Sequence, residues 1–153
     1  MKSGVKGISL IEITLVASLV GILSLIMVPA FTYFRETSHE KTATQSLEVV
    51  RSALLTNYNS RGSWATDAAS LKTLFLEGGS VSSQPSMSPR RVSVSLLPPS
   101  SDSPGIQTVG LAVKGGANRC YSLVVYPPRY NKAPEVVKTK LSPGEPCSGS
   151  MAR

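Results

Sequence analysis

The hydrophobic pattern divides the chain into two unlike parts. Residues 8–34 form an apolar run of 27 positions interrupted by one charge, Glu12. Within it, residues 13–34 are 22 consecutive positions with no charge. At ~1.5 Å of rise per residue, a helix of that length spans roughly 33 Å, about one hydrocarbon core. Only a helix satisfies such a backbone in lipid, so the run predicts a transmembrane segment. Lys2 and Lys6 precede it, which keeps the short N-terminus cytoplasmic and sends the remainder across. A secretory signal peptide is the rival reading, because Val28-Pro29-Ala30 looks like a small-residue cleavage site that would leave Phe31 as the mature N-terminus. Export signals, however, use about 7–15 apolar residues, fewer than here, and have no need of Glu12. A carboxylate at membrane depth is expensive unless it finds a partner, so it marks a functional position. Pro29 lacks an amide hydrogen and predicts a kink or local loosening of the helix; Gly21 weakens helix propensity nearby.

After Phe34 the pattern becomes amphipathic. Ala43, Leu47, Val50, Leu54 and Tyr58 recur at helical spacing and make one apolar stripe on a polar helix. Asn59-Ser60-Arg61-Gly62-Ser63 reads as its stop. A single helix from Ile8 to about Asn59 follows, with its second half packed on a head. Trp64, the only tryptophan, is expected to pack where this helix passes into a loop. A short second helix is expected from Thr66 or Asp67, with Leu71, Leu74 and Phe75 on one side and Gly78-Gly79 at its end. Residues 80–104 are rich in Ser and Pro and predict loop, with a period-two strand at 92–96. Further strands are expected at 106–113, at 121–126 either buried on both faces or in a central position, and at 135–141 as an edge. The fold class is therefore α+β: a long N-terminal helix on a small antiparallel sheet of three or four strands.

Composition narrows the function. At 153 residues and 41% apolar content, the chain suits one domain with an appendage and is too apolar to be disordered throughout. Two cysteines are too few for a disulfide-built miniprotein, and 6% aromatics offer no obvious stacking platform for single-stranded nucleic acid. Enzyme chemistry is not expected. His39 is the lone histidine and reads as part of a solvated helix face. Two Cys and one His make no zinc spacing, and nine scattered acids make no calcium loop. No phosphate loop, dinucleotide fingerprint or nucleophile elbow is present. No cofactor and no metal are expected.

The stretch Lys6-Gly7-Ile8-Ser9-Leu10-Ile11-Glu12 resembles the cleavage and methylation site of type IV prepilins and pseudopilins. The resemblance covers residues 4 to about 34. It implies a basic leader at 1–7, a transmembrane and assembly helix at 8–34, and an exported head at 35–153. It further implies that a prepilin peptidase cuts after Gly7 and methylates the new N-terminus at Ile8. Glu12 then stands fifth after the cut; a cut after Gly4 would place it eighth. Gly21 and Pro29 stand where the family has a glycine and a helix-perturbing proline. Ile8 departs from the commoner Phe. The implied partners are the peptidase, other pilin subunits, the pilus assembly platform and the inner membrane. The implied location is the bacterial inner membrane, then an extracellular pilus or a periplasmic pseudopilus.

Physical logic supports a register role for Glu12. A methylated amine stays positive and can sit beside the Glu12 carboxylate of a neighbouring subunit, which relieves the burial of both charges. For the head, export implies a compartment where Cys120 and Cys147 pair. Such a C-terminal disulfide-bounded region is common in pilins and missing from many type II secretion pseudopilins. The resemblance therefore points to a pilin, a minor one, with a type II secretion pseudopilin as the alternative. A second alternative is a DNA-binding or adhesive subunit at a filament tip. The formal charge of +7 bears on that. Loss of Lys2 and Lys6 with the leader would leave +5, counted from the same residues. Arg90, Arg91, Lys114, Arg119, Arg129, Lys132, Lys138 and Lys140 fall in the sheet half of the head. They are candidates for sequence-independent phosphate contacts, against the plainer reading of solubilising charge.

Overall fold

The structure, a computed structural model, describes residues 9–65, 70–71, 80–99, 105–130 and 132–152. Gly7 and Ile8, the expected cleavage point, lie outside these residues, as does most of the expected second helix; of the latter, Ser70 and Leu71 are helical and Leu71 is buried. The chain divides into two units, Met1–Arg35 and Glu36–Arg153.

Helix α1 runs from Leu10 to Arg61 over 52 residues, and Pro29 lies inside it without interrupting it. Every residue from 10 to 34 is exposed. The hydroxyls of this stretch turn inward on the helix itself. Thr14 donates to the Ile11 carbonyl, Ser18 to Leu15, Ser24 to Val20 and Thr32 to Pro29, at 2.8 to 3.0 Å. The same back-bonding continues in the polar half of the helix, at Thr42, Ser46, Ser52, Thr56 and Ser60, so it is a local habit of helical Ser and Thr rather than a mark of the surrounding solvent. At its other end α1 stops at Gly62, whose φ of +71° a side chain would resist; its amide donates to the Tyr58 carbonyl at 2.7 Å.

In the second unit five strands follow one another in space as in sequence: β1 (Ser80–Ser82), β2 (Arg91–Leu97), β3 (Thr108–Lys114), β4 (Arg119–Val125) and β5 (Val136–Lys140). β2 to β5 pair antiparallel. The expectation of three or four antiparallel strands needs correction: β1 adds a fifth strand, and it runs parallel to β2. Three residues are too short to show a period, and a parallel return is not written into local sequence. Buried Ser86 anchors the return. Its amide donates to the Cys147 carbonyl at 2.7 Å, its hydroxyl lies against the Ser88 and Arg91 carbonyls, and it accepts the Lys114 amide at 2.9 Å.

The alternation of side chains sends β2, β3 and β4 two ways. Val92, Val94, Val109, Leu111, Val113, Tyr121 and Leu123 join Ala43, Leu47, Val50 and Leu54 of α1 in one core. The opposite face is covered by the C-terminal segment, in which Leu141, Cys147 and Met151 meet Ala112 and Cys120. A short 3-10 helix, Gly149–Met151, seats directly on the sheet. The Gly149 amide donates to the buried Ser93 hydroxyl at 3.2 Å. A Cβ on Gly110 would run into the Gly149 carbonyl, and one on Gly149 into the Gly110 carbonyl. β3 is thus covered on both faces, a helix on one and a backbone strap on the other.

Candidate functional site

Two features of α1 and the sheet bear on function, and each is built within one unit. The first is the exposed helix face around Glu12. Glu12, Ile13, Val16, Ala17, Val20 and Gly21 line one shallow concavity along it. Ala17 and Gly21 are small and four apart, and a Cβ built on Gly21 would meet nothing within 4 Å. Small residues at this spacing let a second helix approach closely. Glu12 is the one ionisable group among these apolar positions.

The second feature is one end of the sheet. Antiparallel pairing makes β2 and β4 begin where β3 and β5 end. Lys114 lies opposite Cys120, Arg119 opposite Lys140, and Tyr121 opposite Lys138. Arg91 starts β2 one step beyond the pair Val92 and Val113, with Arg90 just before it. Six of the eight candidate cations are therefore drawn to one end: Arg90, Arg91, Lys114, Arg119, Lys138 and Lys140. Arg129 and Lys132 are not among them. They follow β4 at the opposite end, where Lys132 lies 5.1 Å from the Tyr126 ring centre and Arg129 borders Trp64 and Tyr58.

The turn between β3 and β4 holds the basic end against α1. Ala117 and Asn118 both have positive φ, 51° and 53°, and the Arg119 amide donates to the Gly116 carbonyl at 3.1 Å. This is the tight hairpin turn whose twist matches the strands. A Cβ on Gly116 would lie 3.4 Å from the His39 Cβ and 3.7 Å from the Glu36 Cα. Glu40, one turn further along α1, meets Lys138 at 2.7 Å, with both side chains part-exposed at 38% and 43%. The hydrogen bond from Lys138 holds the Glu40 carboxyl below the usual carboxylate range, and the charges of Lys138 and Arg119 add to it against a desolvation that works the other way. The same bond holds the Lys138 ammonium above its ordinary range. Sequence reading had no signal for this pair, whose members are 98 residues apart.

Cys120 and Cys147 form a disulfide, with their Cα atoms 5.5 Å apart. It ties β4 to the strap on the outer face of the sheet. Ser86, Gly110 and Gly149 position that strap and were not singled out from sequence. Only Gly110 left a clue there, since a glycine inside a strand marks close backbone approach.

At the far end of the sheet, Tyr58, Trp64, Gln107, Arg129 and Tyr130 line an open cleft of about 420 Å³. The Trp64 and Tyr58 rings lie 4.4 Å apart, and the Trp64 indole donates to the Gln107 carbonyl at 3.0 Å. Trp64 packs partly buried against the core, as expected for the join between helix and loop. Among the described residues, no group of three or more His, Cys, Asp or Glu is placed to hold a metal ion. Comparison of the chain with family models, with curated proteins and with solved structures gives no match to any of them.

Proposed function

We propose that this protein is a pilin-like subunit, held in the bacterial inner membrane by the first part of α1 and assembled through that same segment into a filament. The observation that carries this reading is the environment of residues 10–34: wholly exposed, almost uncharged and bearing one carboxylate. Such a helix needs an apolar solvent, and lipid and neighbouring helices are the two that a filament subunit meets in turn. The resemblance of residues 6–12 to a prepilin cleavage site supports the order of events: export, cleavage after Gly7, methylation of Ile8, and pairing of the new amine with Glu12 of a neighbour. The disulfide in the head supports a pilin, and a minor one, over a secretion pseudopilin.

The test is the mature N-terminus in cells that carry a prepilin peptidase. A methylated Ile8 is expected by mass spectrometry of the purified protein. An N-terminus at Phe31 would make the chain an ordinary secreted protein. Glu12→Ala is expected to leave insertion and cleavage intact while excluding the subunit from filaments. Normal incorporation of that variant would end the register role of Glu12.

A further inference from the structure

The sheet gathers its cations at the end where the chain enters the second unit. Glu36, His39 and Glu40 flank the β3–β4 turn, and they follow directly on the apolar run that ends at Phe34. Six cations of the sheet lie at this end, against the carboxylates of Glu36 and Glu40 on α1 and of Glu145, which accepts the Ser142 amide in the turn after β5; Glu40 is already bonded to Lys138. Among the described residues, Arg90, Arg91, Lys114, Arg119 and Lys140 form no salt bridge. Their distribution is also informative. Arg119, Lys138 and Lys140 alternate onto the helix side of the sheet, whereas Arg91 and Lys114 alternate onto the strap side. Charge spread over both faces but confined to one end does not make a groove for a rod-like partner. It makes a rim that meets a flat anionic surface end-on.

We infer that this rim docks on anionic phospholipid headgroups of the bilayer that holds the subunit before assembly. The inference rests on residues 13–34 being a membrane anchor. Phe34 ends the apolar run two residues before Glu36, and Gly116 at the hairpin tip lies beside Glu36 and His39, so the rim is tethered within a few residues of the headgroup layer whatever angle the head takes. The head lies on the far side of the membrane from the cytoplasm, and where the leaflet on that side carries anionic phospholipid it attracts cations that lie within a Debye length, about 8 Å at physiological salt. Lys138 is held by Glu40, so the free members, chiefly Arg90, Arg91, Lys114 and Lys140, make the contact. The Leu141 amide donates to the Asn118 carbonyl at 2.7 Å and fixes β5 to the hairpin tip, so the rim is a preformed surface. Docking would hold the subunit in one orientation at the membrane, and removal into a filament would release it.

The experiment uses the full chain in lipid nanodiscs, of phosphatidylcholine alone or mixed with phosphatidylglycerol. Hydrogen exchange of the 115–119 amides is followed by mass spectrometry. Slower exchange is expected only in the anionic discs, with the ratio of docked to undocked protein falling about fivefold for each contacting charge removed. The variant Arg90→Gln/Arg91→Gln/Lys114→Gln/Lys140→Gln should lose the protection. Arg61→Gln/Arg129→Gln, at the opposite end, should keep it. Salt that shortens the Debye length to about 3 Å should abolish it in the unaltered protein, independently of any variant. Insertion into both discs with equal exchange overturns the rim and leaves the anchor standing. Failure to insert into either disc overturns both. Protection by duplex DNA, with none from anionic lipid, assigns the cations to nucleic acid and overturns the lipid proposal.

Discussion

Leu19 and Leu47 lie in the same helix, yet Leu19 is 54% exposed and Leu47 0%. Around Leu19 the apolar residues point in every direction and none is buried. Around Leu47 they form one stripe, Ala43, Leu47, Val50 and Leu54, and that stripe is the helix side of the core. Among the described residues, nothing covers the first stretch, whereas the protein's own sheet covers the second. The head is complete in itself, covered by α1 on one face and by a disulfide-tied strap on the other. Among the described residues, the apolar surface of residues 10–34 is left uncovered.

The sharpest way to break this contrast is to truncate both leucines. Leu47→Ala is expected to destabilise the head by about 2–5 kcal/mol, because it opens a cavity in a packed core. Leu19→Ala should leave head unfolding unchanged, measured by thermal denaturation of the full chain in one detergent. Equal losses would mean that the first part of α1 belongs to the head's fold. Next in size is the strap. Cys120→Ser/Cys147→Ser, at a sequence separation of 27, should lose up to roughly 3.5 kcal/mol by the loop-entropy account. Cys147 should become reactive to thiol reagents when the disulfide is reduced. An unchanged melting temperature would show that Ser86, Gly110 and Gly149 hold the strap unaided.

A smaller gain is expected from Ala117→Gly. Alanine at a φ of 51° carries left-handed strain that glycine does not, and the substitution should stabilise the head by about 0.5–1 kcal/mol in denaturant titration. The smallest effect belongs to Glu40 and Lys138. The Glu40 carboxyl is held below its unfolded value, so its contribution is full above that value and is lost as pH falls through the lowered one. The raised Lys138 ammonium contributes below its unfolded value and is lost as pH rises through the raised one. Between those limits the pair should leave the melting temperature flat, and Glu40→Gln should remove the acid-side slope. The pair is part-exposed, so solvent screens it and the slope is shallow.

Local pattern made much of this legible before any coordinates. The uncharged run of 22 residues marks a helix long and apolar enough to cross a membrane. The period of the stripe from Ala43 to Leu54 specifies which side of α1 is covered, and the glycine at 62 specifies where it stops. β2, β3, β4 and β5 each carry enough alternation or β-branched content to be found to within about three residues. β1 could not be found, since three residues hold no period and its partner is chosen by the return loop on Ser86.

The same division applies to the candidate sites. Glu12 stands out in sequence because one charge among apolar residues is a one-dimensional fact. The eight cations were only a composition until strand pairing sorted them. Antiparallel register brought Lys114, Arg119 and Lys140 to one end and sent Arg129 and Lys132 to the other. That sorting depends on which strands are neighbours, and neighbours are settled by long-range packing. The sequence by itself determined that one half of α1 is apolar all round and the other carries a single apolar stripe, because helical period is written in local order. Only the tertiary structure decided where the charges of the head converge and what covers its second face.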